Sequence, residues 1–316
     1  MKKLFVLFLS ANLLIWGACS QPIIPEPAEL IQGETPVLTT EPPPAEQRES
    51  DLNVIYKTSD GQELYFDIFF PTVQKYEKTP LLAAFHGGGW LAGNKMQIMR
   101  LYSPLAEILR EAGYAVAAVE YRLAAGGVVF PAPFIDSADF IRYIKENADT
   151  YNIDPENIGV LGYSAGAHLA MLTSYAAADL DIRYCISFAG PAKLYGEDAA
   201  SVPPMTMFLL ENLFGGRYPE NEELYKSGSP YFYLSGAEHK KTPLLLLHDR
   251  TDDVVPFVQS EVMLDKTAEL GIESELLEIR GVGHDIEFIS GRMNEPSEEE
   301  AMRVILNFIY KFYKNY

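Results

Sequence analysis

Between Ile158 and Ala170 the sequence reads IGVLGYSAGAHLA, and this stretch limits the possible folds more than any other. Four mostly apolar residues lead into Gly162-Tyr163-Ser164-Ala165-Gly166, after which small residues follow a helical pattern. The pattern predicts a strand, a sharp turn and a helix, with a serine at the apex. Strand and helix backbones pass close together in such a turn, so the positions two before and two after the serine have no room for a side chain. The turn lifts the Ser164 hydroxyl clear of the sheet. It also aims the first N–H groups of the helix at any negative charge that develops beside it.

The first fifty residues read as targeting and tether. Lys2-Lys3 precedes an apolar run from Leu4 to Ala18, shorter than the ~20 residues that span a bilayer. The run ends in Trp16-Gly17-Ala18-Cys19-Ser20, which resembles the lipobox of bacterial lipoproteins, with Trp16 where leucine is usual. Residues 1–18 are therefore expected to be a signal peptide and Cys19 the lipidated first residue, giving an extracytoplasmic, membrane-anchored protein. Residues 19–50, rich in proline and glutamate, have too little apolar surface to fold and read as an extended tether. The folded domain is expected over 51–316. A net charge of −19 argues against nucleic acid or an anionic membrane surface as partner. Cys185, the only other cysteine, lies in an apolar strand pattern, so no disulfide framework and no cysteine metal cluster is expected.

From Asn53 onward, strand and helix patterns alternate. A hairpin is predicted from Asn53–Thr58 and Glu63–Phe70 around Ser59-Asp60-Gly61. Strands are predicted at Leu81–Phe85, Tyr114–Val119, Ile158–Leu161, Tyr184–Phe188, Leu244–Leu247 and Glu273–Ile279. Helices are predicted at Leu101–Ala112, Phe134–Asn147, Val258–Leu270 and Ser297–Lys314. This alternation predicts a mostly parallel, doubly wound α/β sheet with an antiparallel N-terminal edge. Pro191 to Lys241 breaks the rhythm. It is expected to be a partial cap (191–241) at the carboxyl edge of the sheet, or else an irregular surface excursion.

A serine hydroxyl needs a base to become a nucleophile, and the base needs an orienting carboxylate. In open α/β sheets both come from loops at the carboxyl ends of strands. His284, in Gly281-Val282-Gly283-His284-Asp285 after a predicted strand, fits the base. His168 falls on the helix after the serine, His248 ends a strand, and His239 lies in a polar stretch. His86 opens a glycine run. The acid is expected in His248-Asp249-Arg250-Thr251-Asp252-Asp253-Val254-Val255-Pro256. Asp249, at the strand end, suits bracing the loop; Asp252, four residues before Pro256, has the better offset by analogy with related loops, and Asp253 is the runner-up. His86-Gly87-Gly88-Gly89 can turn backbone amides toward an oxyanion, so Gly88, Gly89 and the Ala165 N–H are the expected donors.

The motifs HGGGW, Tyr121-Arg122-Leu123, Phe130-Pro131-Ala132-Pro133 with Asp136, GYSAGAHLA, HDRTDDVVP and GVGHD together resemble an α/β-hydrolase of the hormone-sensitive-lipase-like group. They are most similar to the BD-FAE or carbohydrate-esterase type. The likeness runs from about Leu64 to the C-terminus. It implies an α/β-hydrolase fold and a serine carboxylesterase with Ser164, Asp252 and His284 catalytic, needing neither cofactor nor metal. It also implies that Arg122 and Asp136 pair structurally. Asp249-Arg250 replaces the family's usual glycine-containing turn and Asp253 stands where proline is common, which keeps Asp253 open beside Asp252. Ala124-Ala125-Gly126-Gly127 also departs from the family's run there. Family analogy suggests acetyl or feruloyl esters of plant polysaccharide as substrates, with small acyl esters as the alternative. A surface-binding lipoprotein that kept the fold and lost the chemistry would lack the serine, the histidine or the glycine run, and all three are present.

In a bacterial host, labelling with a radioactive fatty acid should mark the full chain but not its Cys19→Ser variant. That variant should move from the membrane to the soluble extracytoplasmic fraction.

Overall fold

A computed structural model describes residues 48–196, 202–234, 240–285 and 295–313. The expected signal peptide and lipidated Cys19, the expected tether as far as residue 47, and His239 lie outside the described residues, whereas residues 48–50 at the end of the expected tether are described and Ser50 already lies in a strand. Eight strands form one sheet: β1 (Ser50–Ser59), β2 (Gln62–Phe69), β3 (Thr79–Phe85), β4 (Ala115–Val119), β5 (Ile153–Tyr163), β6 (Cys185–Phe188), β7 (Leu244–Asp249) and β8 (Ser274–Ile279). Their spatial order is β1-β2-β4-β3-β5-β6-β7-β8. The pairs β1–β2 and β2–β4 are antiparallel and every later pair is parallel. This is the predicted sheet, antiparallel edge included.

The edge hairpin turns on Asp60 and Gly61, both at positive φ (53° and 79°), the backbone that matches a two-residue turn to the twist of its strands. The central strands are apolar along their whole length because helices cover both faces. Leu81, Ala83 and Phe85 of β3 enter one core, while Leu82 and Ala84 enter the other. In β7, Leu244 and Leu246 divide from Leu245 and Leu247 in the same way.

The helices are α1 (Met96–Glu111), α2 (Ala132–Glu146), α3 (Ala148–Tyr151), α4 (Ala165–Tyr175), α5 (Pro204–Phe214), α6 (Glu222–Ser227), α7 (Pro230–Tyr233), α8 (Val258–Glu269) and α9 (Glu298–Lys311). Helix α1 starts one turn before the predicted Leu101. It runs through Pro104 with a kink at Tyr102 (φ −119°), where the proline ring disrupts the preceding turn. The Ser297 hydroxyl accepts from the Glu300 N–H, and the Glu300 carboxylate accepts from the Ser297 N–H, closing a capping box on α9.

The segment from Pro191 to Lys241 supplies α5, α6 and α7. Helix α5 lies against two loops at the carboxyl edge of the sheet. A Cβ added to Gly89 would sit 2.7 Å from Leu209 Cδ2, and the Thr206 hydroxyl donates to the Val254 carbonyl.

Asp136 of α2 is fully buried and locks this helix to the first strands. It accepts from Arg122 Nε at 2.8 Å, Arg122 Nη2 at 3.0 Å and Lys57 Nζ at 2.6 Å. Removing one partner from a buried charge network strands the others, at a cost of roughly 3–5 kcal/mol. Asp136→Ala should therefore lower the free energy of unfolding by that amount, read as a lower urea midpoint at an unchanged slope of the transition.

Candidate active site

Strand β5 ends at Tyr163 and helix α4 begins at Ala165, leaving Ser164 alone between them. Its backbone sits at φ 53°, ψ −117°, a conformation a non-glycine residue holds only when its surroundings fix it. Two features fix it. The Ser164 N–H donates to the Phe188 carbonyl of β6 at 2.8 Å. The crossing is also close: a Cβ on Gly166 would lie 2.1 Å from the Phe85 carbonyl oxygen, and one on Gly162 2.2 Å from Gly166.

The predicted base and acid meet this serine. His284 Nε2 lies 2.9 Å from Ser164 Oγ, and its Nδ1 lies 2.7 Å from Asp252 Oδ2. A carboxylate only accepts, so Nδ1 carries the ring proton and Nε2 is left to accept from the serine hydroxyl. The Tyr163 hydroxyl donates to the His284 carbonyl at 2.8 Å, tying the histidine loop to the residue before the serine. That contact joins positions far apart in sequence and carries no local signal.

Asp252 faces inward and Asp253 outward. Asp252 Oδ1 accepts the Val254 and Val255 amides at 2.9 and 2.8 Å. Its Oδ2 accepts from His248 Nε2 at 3.2 Å as well as from His284. Burial alone would push the Asp252 carboxyl up, but the hydrogen bonds from His248 and His284 outweigh it and hold the group well below the usual carboxylate range.

Asp249 braces the site, as its place at the strand end suggests, and it does so across two loops. Oδ1 takes the Thr251 amide and hydroxyl, and Oδ2 takes the Val282 and Gly283 amides, all at 2.8 Å. Burial raises its carboxyl, and these hydrogen bonds from Thr251, Val282 and Gly283 more than reverse the effect.

The glycine run leaves β3 beside the elbow, since Phe85 pairs with Gly162 and a Cβ on Gly87 would lie 2.7 Å from Tyr163 Cδ1. Gly88 (φ 115°) and Gly89 (φ 59°) adopt backbone that L side chains avoid, and the Gly88 carbonyl accepts the Leu91 and Ala92 amides. Ala165 opens α4, so its N–H belongs to the first turn, whose amides lack intrahelical acceptors. Farther along the same loop, the Lys95 ammonium is buried against Asp67 at 2.9 Å and Asn53 at 2.8 Å.

The other histidines hold the surroundings. His86 stacks on Tyr121 (ring centroids 4.2 Å apart) and donates from Nδ1 to the Gly87 carbonyl. His168 lies between the end of the glycine run and the turn after α6. The Trp90 indole donates to its Nδ1 at 3.2 Å, and its Nε2 donates to the Gly228 carbonyl, 2.6 Å away. Burial pushes both imidazoles down to about 4, opposed only by those carbonyls. Among the described residues, no group of three His, Cys, Asp or Glu side chains is arranged to hold a metal ion.

The BD-FAE family model matches residues 66–267. Esterase LipQ of Mycobacterium tuberculosis is 27% identical over 263 residues, covering 79% of this chain, and the chain spans 60% of LipQ's length. The apo form of Thermogutta terrifontis esterase 2 superposes with a TM-score of 0.67 at 23% identity, covering 85% of this chain and 96% of that one. That esterase is also solved with propionate and with butyrate bound. A truncated carbohydrate esterase from gut microbiota superposes with a TM-score of 0.66 at 23% identity, covering 85% and 98% of the two chains. These likenesses identify the fold as that of the α/β hydrolases.

The two depressed histidines give stability a pH dependence. Between about 6.5, the ordinary value, and about 4, the unfolded chain binds protons at His86 and His168 that the folded chain does not. Stability should therefore fall as pH drops through this window. His168→Gln should flatten the slope of unfolding free energy against pH, measured by urea titration at successive pH values.

Proposed function

The chain belongs to the BD-FAE family, and on that premise we propose that it is a serine carboxylesterase working through an acyl-enzyme. The observation that carries the reading is the unbroken line from Ser164 Oγ through His284 to Asp252, at 2.9 and 2.7 Å. Ser164 attacks the ester carbonyl as His284 Nε2 takes its proton. Asp252 holds the imidazole tautomer and stabilises the imidazolium. The amides of Gly88, Gly89 and Ala165 take the oxyanion, and each such donor contributes about 3 kcal/mol to the transition state. His284 then protonates the leaving alcohol. Water, deprotonated by the same imidazole, attacks the acyl-enzyme and frees the acid.

The substrates proposed are acetyl or feruloyl esters on plant polysaccharide. Supporting this are the family and the gut carbohydrate esterase of the same fold; the reading also takes an extracytoplasmic station on a lipid-modified Cys19, the residues ahead of β1 as tether and the segment 191–241 as a partial cap. A second reading, small acyl esters, is favoured by the propionate and butyrate bound to the Thermogutta esterase.

Ser164→Ala should abolish p-nitrophenyl acetate turnover, by roughly 10⁴-fold or more. Asp252→Asn should cost about 10⁴-fold, since it leaves the base in the wrong tautomer, while Asp253→Asn should stay within a few-fold of the parent. Turnover surviving Ser164→Ala would end the proposal. A panel of acetylated xylan, feruloylated arabinoxylan and C2–C8 acyl esters separates the two substrate readings.

A further inference from the structure

Asp252 uses all of its hydrogen-bonding capacity, and one of its partners has no part in the reaction proposed above. Two amides hold Oδ1, while Oδ2 is shared between His284 and a second imidazole, His248 Nε2. His248 follows four leucines on β7 and is completely buried. Its Nε2 faces two acceptors, Asp252 Oδ2 at 3.2 Å and the Val255 carbonyl at 2.9 Å. Only a protonated Nε2 satisfies both, so His248 is a donor to the acid. Its Nδ1 lies 2.7 Å from the Ser260 hydroxyl, in the first turn of α8. Strand, acid loop and helix thus fix the ring in one orientation. A role in packing alone would be met by another apolar side chain, with no polar group to bury.

We infer that His248, backed by Ser260, is a positioning residue that shares the acid's Oδ2 and thereby sets the proton affinity of His284. The inference rests on the proposed esterase reading of the same site. A carboxylate oxygen that takes two donors is a weaker base toward each, so it stabilises the His284 imidazolium less than an undivided one would. Loss of His248 therefore raises the pH at which His284 protonates. The neighbouring charges are already committed. Asp249 is occupied by Thr251, Val282 and Gly283. Arg250 lies over the Phe257 ring that flanks His248, and it pairs outward with Glu261 and Glu278. Tyr163 engages the backbone carbonyl of His284, and Asp285 follows His284 directly in the chain.

The test compares the full chain with His248→Phe, His248→Gln and Ser260→Ala. It uses the pH profile of kcat/KM on p-nitrophenyl acetate and, independently of turnover, an NMR titration of the His284 ring protons. His248→Phe should move the acid limb and the NMR midpoint upward by about half a pH unit or more. His248→Gln, whose amide can reach the same oxygen, should stay near the parent, and Ser260→Ala should fall between. A limb and midpoint that stay put or move down in His248→Phe, even with a lower Tm, would reduce His248 to packing and overturn the inference. If His248→Phe does not fold, an unshifted Ser260→Ala overturns it equally. An upward NMR shift in a chain that hydrolyses no ester would support the coupling between the rings while sinking the esterase reading.

Discussion

The site depends on two backbones crossing with no space between them. Where β5 gives way to α4, Gly162 and Gly166 bring strand and helix so close that a methyl group at either position would overlap backbone atoms. That contact forces Ser164 into its left-handed conformation, and the bond from its N–H to Phe188 keeps it there. Because β3, β5, β6, β7 and β8 run parallel, the loops after them leave from one edge of the sheet. Glycine loop, elbow, acid loop and histidine loop are therefore neighbours in space although more than a hundred residues separate the first from the last.

Around the serine, fixed charge and neutral polar groups are kept apart. Asp252 and Asp249 are held ionised by donors on both oxygens, and each belongs to a loop it also orders. His86 and His168 are held neutral by burial, each with its proton on a backbone carbonyl. In a poorly solvated interior an unpartnered member of such a set would be costly. The arrangement leaves His284, alone of the described histidines, in contact with the serine hydroxyl.

Much of this was legible in the sequence because it is written in local patterns. Apolar runs that show no alternation mark strands covered on both faces, and two glycines around a serine mark the tight crossing. What escaped the sequence reading has physical reasons. The segment from Pro191 to Lys241 reads as a break in the rhythm, yet within it Pro204 opens α5 and Gly215, at φ 69°, caps it. The residues that interrupt a loop pattern are the same ones that start and stop helices. Asp252 and Asp253 are adjacent in sequence, and only the path of the loop turns one inward and the other out. His248 looked like a strand terminus because nothing in its immediate neighbours announces a carboxylate four residues on.

The contact between Trp90 and His168 has an experimental consequence. The sequence contains two tryptophans, Trp16 and Trp90, the second at the end of the glycine run. From residue 48 onward, all indole emission thus originates from one ring, buried against an imidazole that also reaches the turn between α6 and α7. For the chain from residue 48 onward, indole fluorescence becomes a single-site optical gauge of the glycine loop, with no label introduced.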